Sequence, residues 1–354
     1  MGPGYKPIHR SSLSAGCYFT VDPTDRTGGD LMSQKTQLKI TAGLGSIDDY
    51  IPYVKAGADE CFIGYVPEVW QQAFGGHIPL NRREVMYYNV QIGSASELEI
   101  LKDMIDVYGV PVRIAFNALY YRPEQYPVIL QIIRDCLALG FSSFIIADPG
   151  LLIFLDEAGL TSRIDLAVSG EFAEINHVVI KMLTDHHISR LIFHRKMDLQ
   201  TQAYCIEAFK KQYPDCPLPV FEAFVLNECC KFHGAFCQSL HSDELAHICH
   251  LPYRLEGSDA ESAPKTDADT LPDFDLVGAT GCGLCALPAL AKNGVTWLKV
   301  VGRGNYSEDM VRDIKTLKQS LEILDQYPDP DDYISAMKAR LFPDGCSGNC
   351  YYDL

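Results

Sequence analysis

Residues 112–147, VRIAFNALYYRPEQYPVILQIIRDCLALGFSSFIIA, read as strand, helix, strand. The runs Val112–Phe116 and Ser143–Ala147 are short, apolar and rich in β-branched and aromatic residues, whereas Glu124–Leu139 carries a helical pattern. Outward from this unit the alternation continues. Further strand candidates are Leu38–Ala42, Glu60–Tyr65, Asp165–Val168, Arg190–Phe193, Val220–Val225 and Trp297–Val301. Helical patterns occupy Ser96–Tyr108 and Thr201–Gln212; in the first, Leu98, Leu101, Met104, Ile105 and Tyr108 recur at helical spacing. Eight strands alternating with helices predict an α/β fold with parallel pairing, most economically a (β/α)8 TIM-like barrel. A doubly wound sheet is the fallback. Against it, the break after the first strand, Gly43-Leu44-Gly45-Ser46, has neither dinucleotide nor P-loop spacing.

Three regions follow from the same pass. Residues 1–36, rich in Gly, Ser, Thr, Pro and Asp, read as an N-terminal extension that is partly flexible. Residues 37–325 form the barrel, interrupted by an acidic, loop-like insertion at 256–275. Residues 326–354 are a tail, a short helix followed by FPDGCSGNCYYDL with its cysteine pair. The formal net charge of the 354 residues is −16, and the densest basic stretches are only Arg82-Arg83 and Lys210-Lys211, read as solvated surface. That charge argues against direct nucleic-acid binding, which calls for a basic stripe. No apolar run approaches the roughly 18 residues of a membrane span, and the N-terminal stretch lacks a signal-like apolar core. The expectation is a cytoplasmic chain with reduced thiols.

In such a barrel the C-terminal strand ends carry function. They present Tyr65, Asn117, Asp148, Ser169 with Glu171, His194 with Arg195, Glu222 with Asn227, and Lys299 with Arg303. This mixed-charge ring suits an anionic or polyhydroxylated small molecule, although each member alone could be a loop cap or a barrel-mouth hydrogen bond.

The thirteen cysteines point to metal rather than to cross-linking. Cys230, Cys237, Cys249 and Cys282 follow one another at intervals of 7, 12 and 33 residues, and Cys282-x-x-Cys285 and Cys346-x-x-x-Cys350 form close pairs. Soft thiolates gathered after the late strands suit an iron–sulfur cluster. A closed zinc centre on Cys282, Cys285, Cys346 and Cys350 would tie the tail to the barrel. Unliganded buried thiols are the third reading, favoured for Cys61, Cys136, Cys205 and Cys216. Pairing Cys230 with His233, or Cys249 with His250, as a thiol nucleophile lacks an orienting partner for the histidine.

The runs Val112–Leu119, Ile145–Leu152, Phe221–Cys230 and Leu287–Arg303 resemble the collagenase-like peptidases of unknown catalytic type. That superfamily includes the anaerobic ubiquinone-hydroxylation factors UbiU and UbiV and the prephenate-dependent tRNA and ribosomal RNA hydroxylation proteins. The resemblance spans roughly residues 38–325 and implies a 4Fe–4S cluster on Cys230, Cys237, Cys249 and Cys282, with Cys285 as alternative ligand. Cys346 and Cys350, outside the pattern, would belong to a second site or be surface thiols. The family's Lys-Ile-Glu-Gly-Arg is here Lys299-Val300-Val301-Gly302-Arg303, and its Ser-x-Gln is Ser169-Gly170-Glu171.

The resemblance implies an oxygen-independent, cluster-dependent hydroxylase-type enzyme acting on a small molecule or peptide, with prephenate as candidate oxygen donor. Arg195, Lys299 and Arg303 would clamp a carboxylate. Asn117, Asp148, Ser169 and Glu222 would orient the acceptor or move protons. Alternatives are a peptidase or peptide-modifying protein with a structural metal such as zinc, and a non-catalytic iron–sulfur subunit paired with a homologous partner.

Overall fold

Eight parallel strands close on themselves: β1 (Lys39–Gly43), β2 (Glu60–Gly64), β3 (Val112–Phe116), β4 (Ser143–Ile146), β5 (Asp165–Val168), β6 (Arg190–Ile192), β7 (Val220–Leu226) and β8 (Trp297–Val300). Each pairs with its sequence neighbour, and β8 returns to β1 with Lys39 opposite Trp297 and Thr41 opposite Lys299. This is the barrel the alternation predicts, with every strand in place to within a residue or so at its ends. The structure, a computed structural model, describes residues 38–75, 80–82, 91–172, 175–229 and 276–354. The N-terminal extension, the acidic insertion and Cys230, Cys237 and Cys249 lie outside the described residues.

The helices between strands are α1 (Tyr50–Ala56), α2 (Glu68–Phe74), α3 (Ala95–Tyr108), α4 (Tyr126–Ala138), α5 (Pro149–Glu157), α6 (His177–Asp185), α7 (Leu199–Gln212) and α8 (Leu287–Lys292). Beyond β8 follow α9 (Ser307–Gln326) and α10 (Pro330–Leu341). Local chemistry sets their ends. Ser94 and Glu97 form a reciprocal capping box on α3, and Asn176 and Asp198 accept backbone N–H groups at the starts of α6 and α7. The outer faces of the strands and the inner faces of the helices share one apolar core, in which Cys61, Cys136 and Cys205 are buried as expected, whereas Cys216, also expected there, is half-buried at its edge. Among the described residues no helix is long and apolar enough to cross a membrane.

The barrel interior is charged. Glu60 on β2 accepts from Arg190 on β6 at 2.6 and 3.1 Å and from Arg113 on β3 at 2.9 Å. In an eight-stranded barrel β2 and β6 stand opposite, so the first of these pairs crosses the interior. Arg190 also reaches Glu222 at 3.0 Å, Lys299 donates to Glu222 at 2.8 Å, and Arg113 meets Asp165 at 2.6 Å. Aromatic faces flank the cations: Arg190 lies 4.0 Å from the Trp297 ring centroid and the Lys299 ammonium 3.8 Å from that of Phe62.

Burial alone would raise the Glu222 carboxyl, but Lys299 and then Arg190 outweigh it and hold the group below its ordinary 4.5. Burial pulls the Lys299 ammonium down against the attraction of Glu222. With two cations at hydrogen-bond distance, Glu222 is ionised.

Breaking such a network strands its other members without water. Glu222→Gln is expected to destabilise the fold by about 3–5 kcal/mol at neutral pH, measured by denaturant titration. Because the native carboxyl titrates below its unfolded value, its contribution is complete above about pH 4.5 and lost as pH falls through the native pKa. The variant's stability should therefore fall less steeply with acid than the wild type's; equal slopes would remove Glu222 from the cause.

Candidate functional site

Inward-facing positions along β2 set the levels of the barrel. Glu60 meets the arginines near the strand starts, and Phe62 meets Lys299 one level up. At Gly64 the absent side chain leaves room that the Arg303 guanidinium and Asn81 occupy; a Cβ there would collide with Arg303 Nη1 and come within 2.9 Å of Asn81. Arg303 donates to Asn81 Oδ1 at 3.0 Å. This is the mouth.

Three arginines collect around it. Arg195, just past β6, donates to Glu171 at 3.1 Å, and Arg82 approaches the same carboxylate at 3.9 Å. Arg82 is also tied through its backbone N–H to Asn117 Oδ1 at 3.2 Å. Arg195 stacks 4.3 Å from the Phe224 ring centroid. Arg82, Arg303 and Glu171 are all buried. The sequence reading of Arg82 as solvated surface is thus corrected. The turn after Leu80 carries it inward, where Glu171 supplies a counter-charge. Guanidinium forks in such a setting are suited to grip a carboxylate or phosphate through paired hydrogen bonds.

The remaining sequence candidates fall into two groups. Asn117 and Ser169 stand at the mouth; the Ser169 hydroxyl accepts the Glu171 N–H at 3.2 Å and shapes the turn that presents Glu171. His194 Nδ1 similarly accepts the Lys196 N–H at 3.1 Å. Asp148 caps α5, accepting from Gly150 N–H at 2.8 Å and from Tyr121 N–H and Tyr126 Oη at 3.0 Å each. Burial first, then Asp148, pushes the Tyr126 phenol up to about 12, so it stays a donor. Glu222 and Lys299 belong to the ion network below the mouth, paired with each other.

The C-terminal tail forms one wall. Tyr351 Oη donates to the Asn227 carbonyl just past β7, and Tyr352 Oη to the Phe224 carbonyl at 2.9 Å. Asn227 has left-handed backbone (φ 69°) and donates to Asp313 on α9 at 2.7 Å. Burial holds the Tyr351 phenol protonated, although Arg195 is near enough to oppose that effect. No signal in the sequence placed the tail here except the cysteines that frame it.

Those cysteines border a common cavity. Cys282 N–H donates to the Asn349 carbonyl at 2.8 Å, and Tyr351 N–H to the Cys282 carbonyl at 2.8 Å, joining the tail to the segment before α8. Cys282, Cys285, Cys346 and Cys350 all line one cavity of about 50 Å³. Among the described residues no three His, Cys, Asp or Glu side chains converge tightly enough to hold an ion as they stand. Cys229, the residue before Cys230, donates its N–H to the Thr280 carbonyl at 2.6 Å. Cys229, the last described residue before the cysteine-rich segment, therefore lies beside the stretch that carries Cys282.

Solved structures with a similar course include the U32 peptidase Mk0906, at 13% identity and a TM-score of 0.37 over 58% of this chain and 74% of that one. Others are a thiamine phosphate pyrophosphorylase from Pyrococcus furiosus, at 9% and 0.39 over 81% and 97%, and a glycerophosphodiester phosphodiesterase from Parabacteroides distasonis, at 9% and 0.42 over 81% and 100%. No curated protein matches the chain. The family model for peptidase family U32 matches residues 45–342, from the turn after β1 through α10, and the chain belongs to that family.

Proposed function

We propose that the chain is an iron–sulfur-dependent, oxygen-independent hydroxylase-type enzyme whose barrel mouth holds a carboxylate-bearing small molecule or peptide. The observation that carries this reading is the gathering of Arg82, Arg195 and Arg303 at a mouth near which, at Cys229 past β7, the cysteine-rich segment begins. A dicarboxylate of the prephenate kind, the proposed oxygen donor, matches guanidinium forks on two sides. Arg195 and Arg82 would release Glu171 to take the first carboxylate, and Arg303 would take the second. Asn117 and Ser169 would orient the acceptor. Asp148 and Glu222 serve the site indirectly, one holding α5 and the other the ion network beneath. The resemblance implies Cys230, Cys237, Cys249 and Cys282 as cluster thiolates; the first three are proposed for the cluster, while Cys282 shares a cavity with the tail cysteines, and such a cluster supplies electrons or a Lewis-acidic iron.

The family's name favours a second reading, a peptidase in which any metal is structural. A thiol peptidase needs a nucleophile with a depressed pKa. Burial pushes the Cys136 thiol the other way, up to about 12, and raises Cys61 still further. These two are core residues and are excluded as nucleophiles.

Anaerobic purification separates the readings. A brown protein with iron and acid-labile sulfide is expected. A colourless protein that cleaves peptide bonds would establish the peptidase instead. Cys230→Ser should abolish the colour and Cys61→Ser should leave it; equal loss from both would undo the ligand assignment.

The clamp is tested apart from the cluster. Gly64→Ala forces Arg303 from its place, whereas Gly93→Ala meets nothing within 4 Å. Calorimetric titration with a dicarboxylate should show affinity falling about tenfold or more in Gly64→Ala, a loss of at least ~1.4 kcal/mol, with Gly93→Ala unchanged. Parallel behaviour of the two variants would place the anion elsewhere.

A further inference from the structure

We propose that Cys282, Cys285, Cys346 and Cys350 form a tetrathiolate site for a zinc-like divalent cation that clasps the C-terminal tail to the barrel mouth. The site goes beyond the proposed activity and needs no part of the cysteine-rich segment. It draws on two distant stretches, one leading into α8 and the other after α10.

The first pair sits on a turn suited to ligation. Cys282 precedes a 3₁₀ turn, Leu284–Ala286, and its sulfur accepts the Leu284 N–H, so a backbone donor is already directed at a prospective thiolate. Gly278 packs against the Cys282 side chain so closely that a Cβ would strike it. The second pair is delivered by backbone. Beyond the bonds of Cys282 to Asn349 and Tyr351, Ser347 Oγ donates to the Gly278 carbonyl at 2.8 Å and Asn349 Nδ2 to that of Ala279 at 2.5 Å. Gly345 and Gly348, both with positive φ, allow the tail to fold around its cysteines.

A core packing role explains neither Cys346 nor Cys350, because both are exposed. They border a cavity whose other wall carries the half-buried Cys282 and Cys285, with Lys338 of α10 at its edge to offset thiolate charge. Two close cysteine pairs facing one cavity match the composition of closed zinc centres. The four sulfurs do not yet converge, so ligation requires the exposed pair to turn inward. Binding sends the thiol protons to solvent. Cys282 then belongs to the clasp, and the cluster keeps Cys230, Cys237 and Cys249 as its thiolates. The clasp fixes Tyr351 and Tyr352 on the carbonyls at the exit of β7, and with them one wall of the mouth.

Cobalt(II) is the probe, titrated anaerobically into full-length reduced protein freed of loosely held metal, for the wild type, Cys285→Ser and the double variant Cys346→Ser/Cys350→Ser. One equivalent per chain with the intense visible bands of tetrahedral thiolate cobalt is expected in the wild type. Both variants should lose it while keeping the iron content of the wild type as isolated. Trypsin should cut after Arg340 sooner in the double variant, reporting the freed tail. Absence of the cobalt signal in the wild type, or its persistence in the double variant, overturns the site. Loss of iron rather than cobalt from the double variant makes these thiols cluster ligands and also overturns it. A colourless wild type that still shows the cobalt bands would end the hydroxylase reading and leave the clasp standing.

Discussion

The crossing of the barrel by Arg190 and Glu60 is the constraint on which the architecture turns. TIM-like interiors are ordinarily filled by layers of branched apolar side chains. Here the lower layers hold Arg113, Arg190 and Lys299 against Glu60, Glu222 and Asp165, linked in one chain of ion pairs. Removing such charges from water costs several kcal/mol per ion, and only near-ideal geometry and full pairing offset it. The network therefore stabilises the barrel less than it selects a register. A slip of one residue in β6 or β7 would turn Arg190 or Glu222 away from the interior and leave their partners unmatched.

The same network decides what the mouth can be. With Lys299 committed to Glu222 below, the cations available to an incoming anion are those above Phe62. Gly64 admits Arg303 to that level, and Glu171 holds Arg195 and Arg82 near one another. In the proposed function this internal carboxylate would serve as a placeholder. It keeps two guanidinium groups directed at one point, so the proposed ligand carboxylate would replace an existing partner instead of assembling the site anew. The tail contributes to the same preorganisation, since Tyr351 and Tyr352 bond to the β7 exit through side chains rather than by apolar contact alone.

Much of the fold could be read in the sequence, because its eight strands are short apolar runs flanked by helical periodicity. Val112–Phe116 and Asp165–Val168 agree with the structure at both ends. The site was less legible. Strand-end position correctly brought Arg195, Glu171, Asn117 and Arg303 to one rim, but direction along a strand could not be judged from order alone. Glu222 and Lys299 are each third in their strands, so they point inward below the rim. Arg82 was passed over because a short basic pair carries no periodicity; only the turn after Leu80 and the carboxylate of Glu171 give it a role. The tail was legible in half. Its cysteine spacing is visible, whereas the return of residue 350 to residue 282 depends on long-range backbone pairing that no local pattern encodes.

Charge at two scales then bears on the choice of ligand. The chain carries a formal net charge of −16, yet its mouth is lined by arginines. At physiological salt the field of the whole surface fades over about 8 Å. A polyanion lying across that surface meets repulsion along its length, and its affinity would rest on a basic stripe absent from the sequence. A small dicarboxylate meets only the local field, in a recess where low solvent access strengthens each guanidinium contact. On the proposed reading, a cationic recess in an acidic chain would select by size among anions, favouring a compact acid over a nucleic acid.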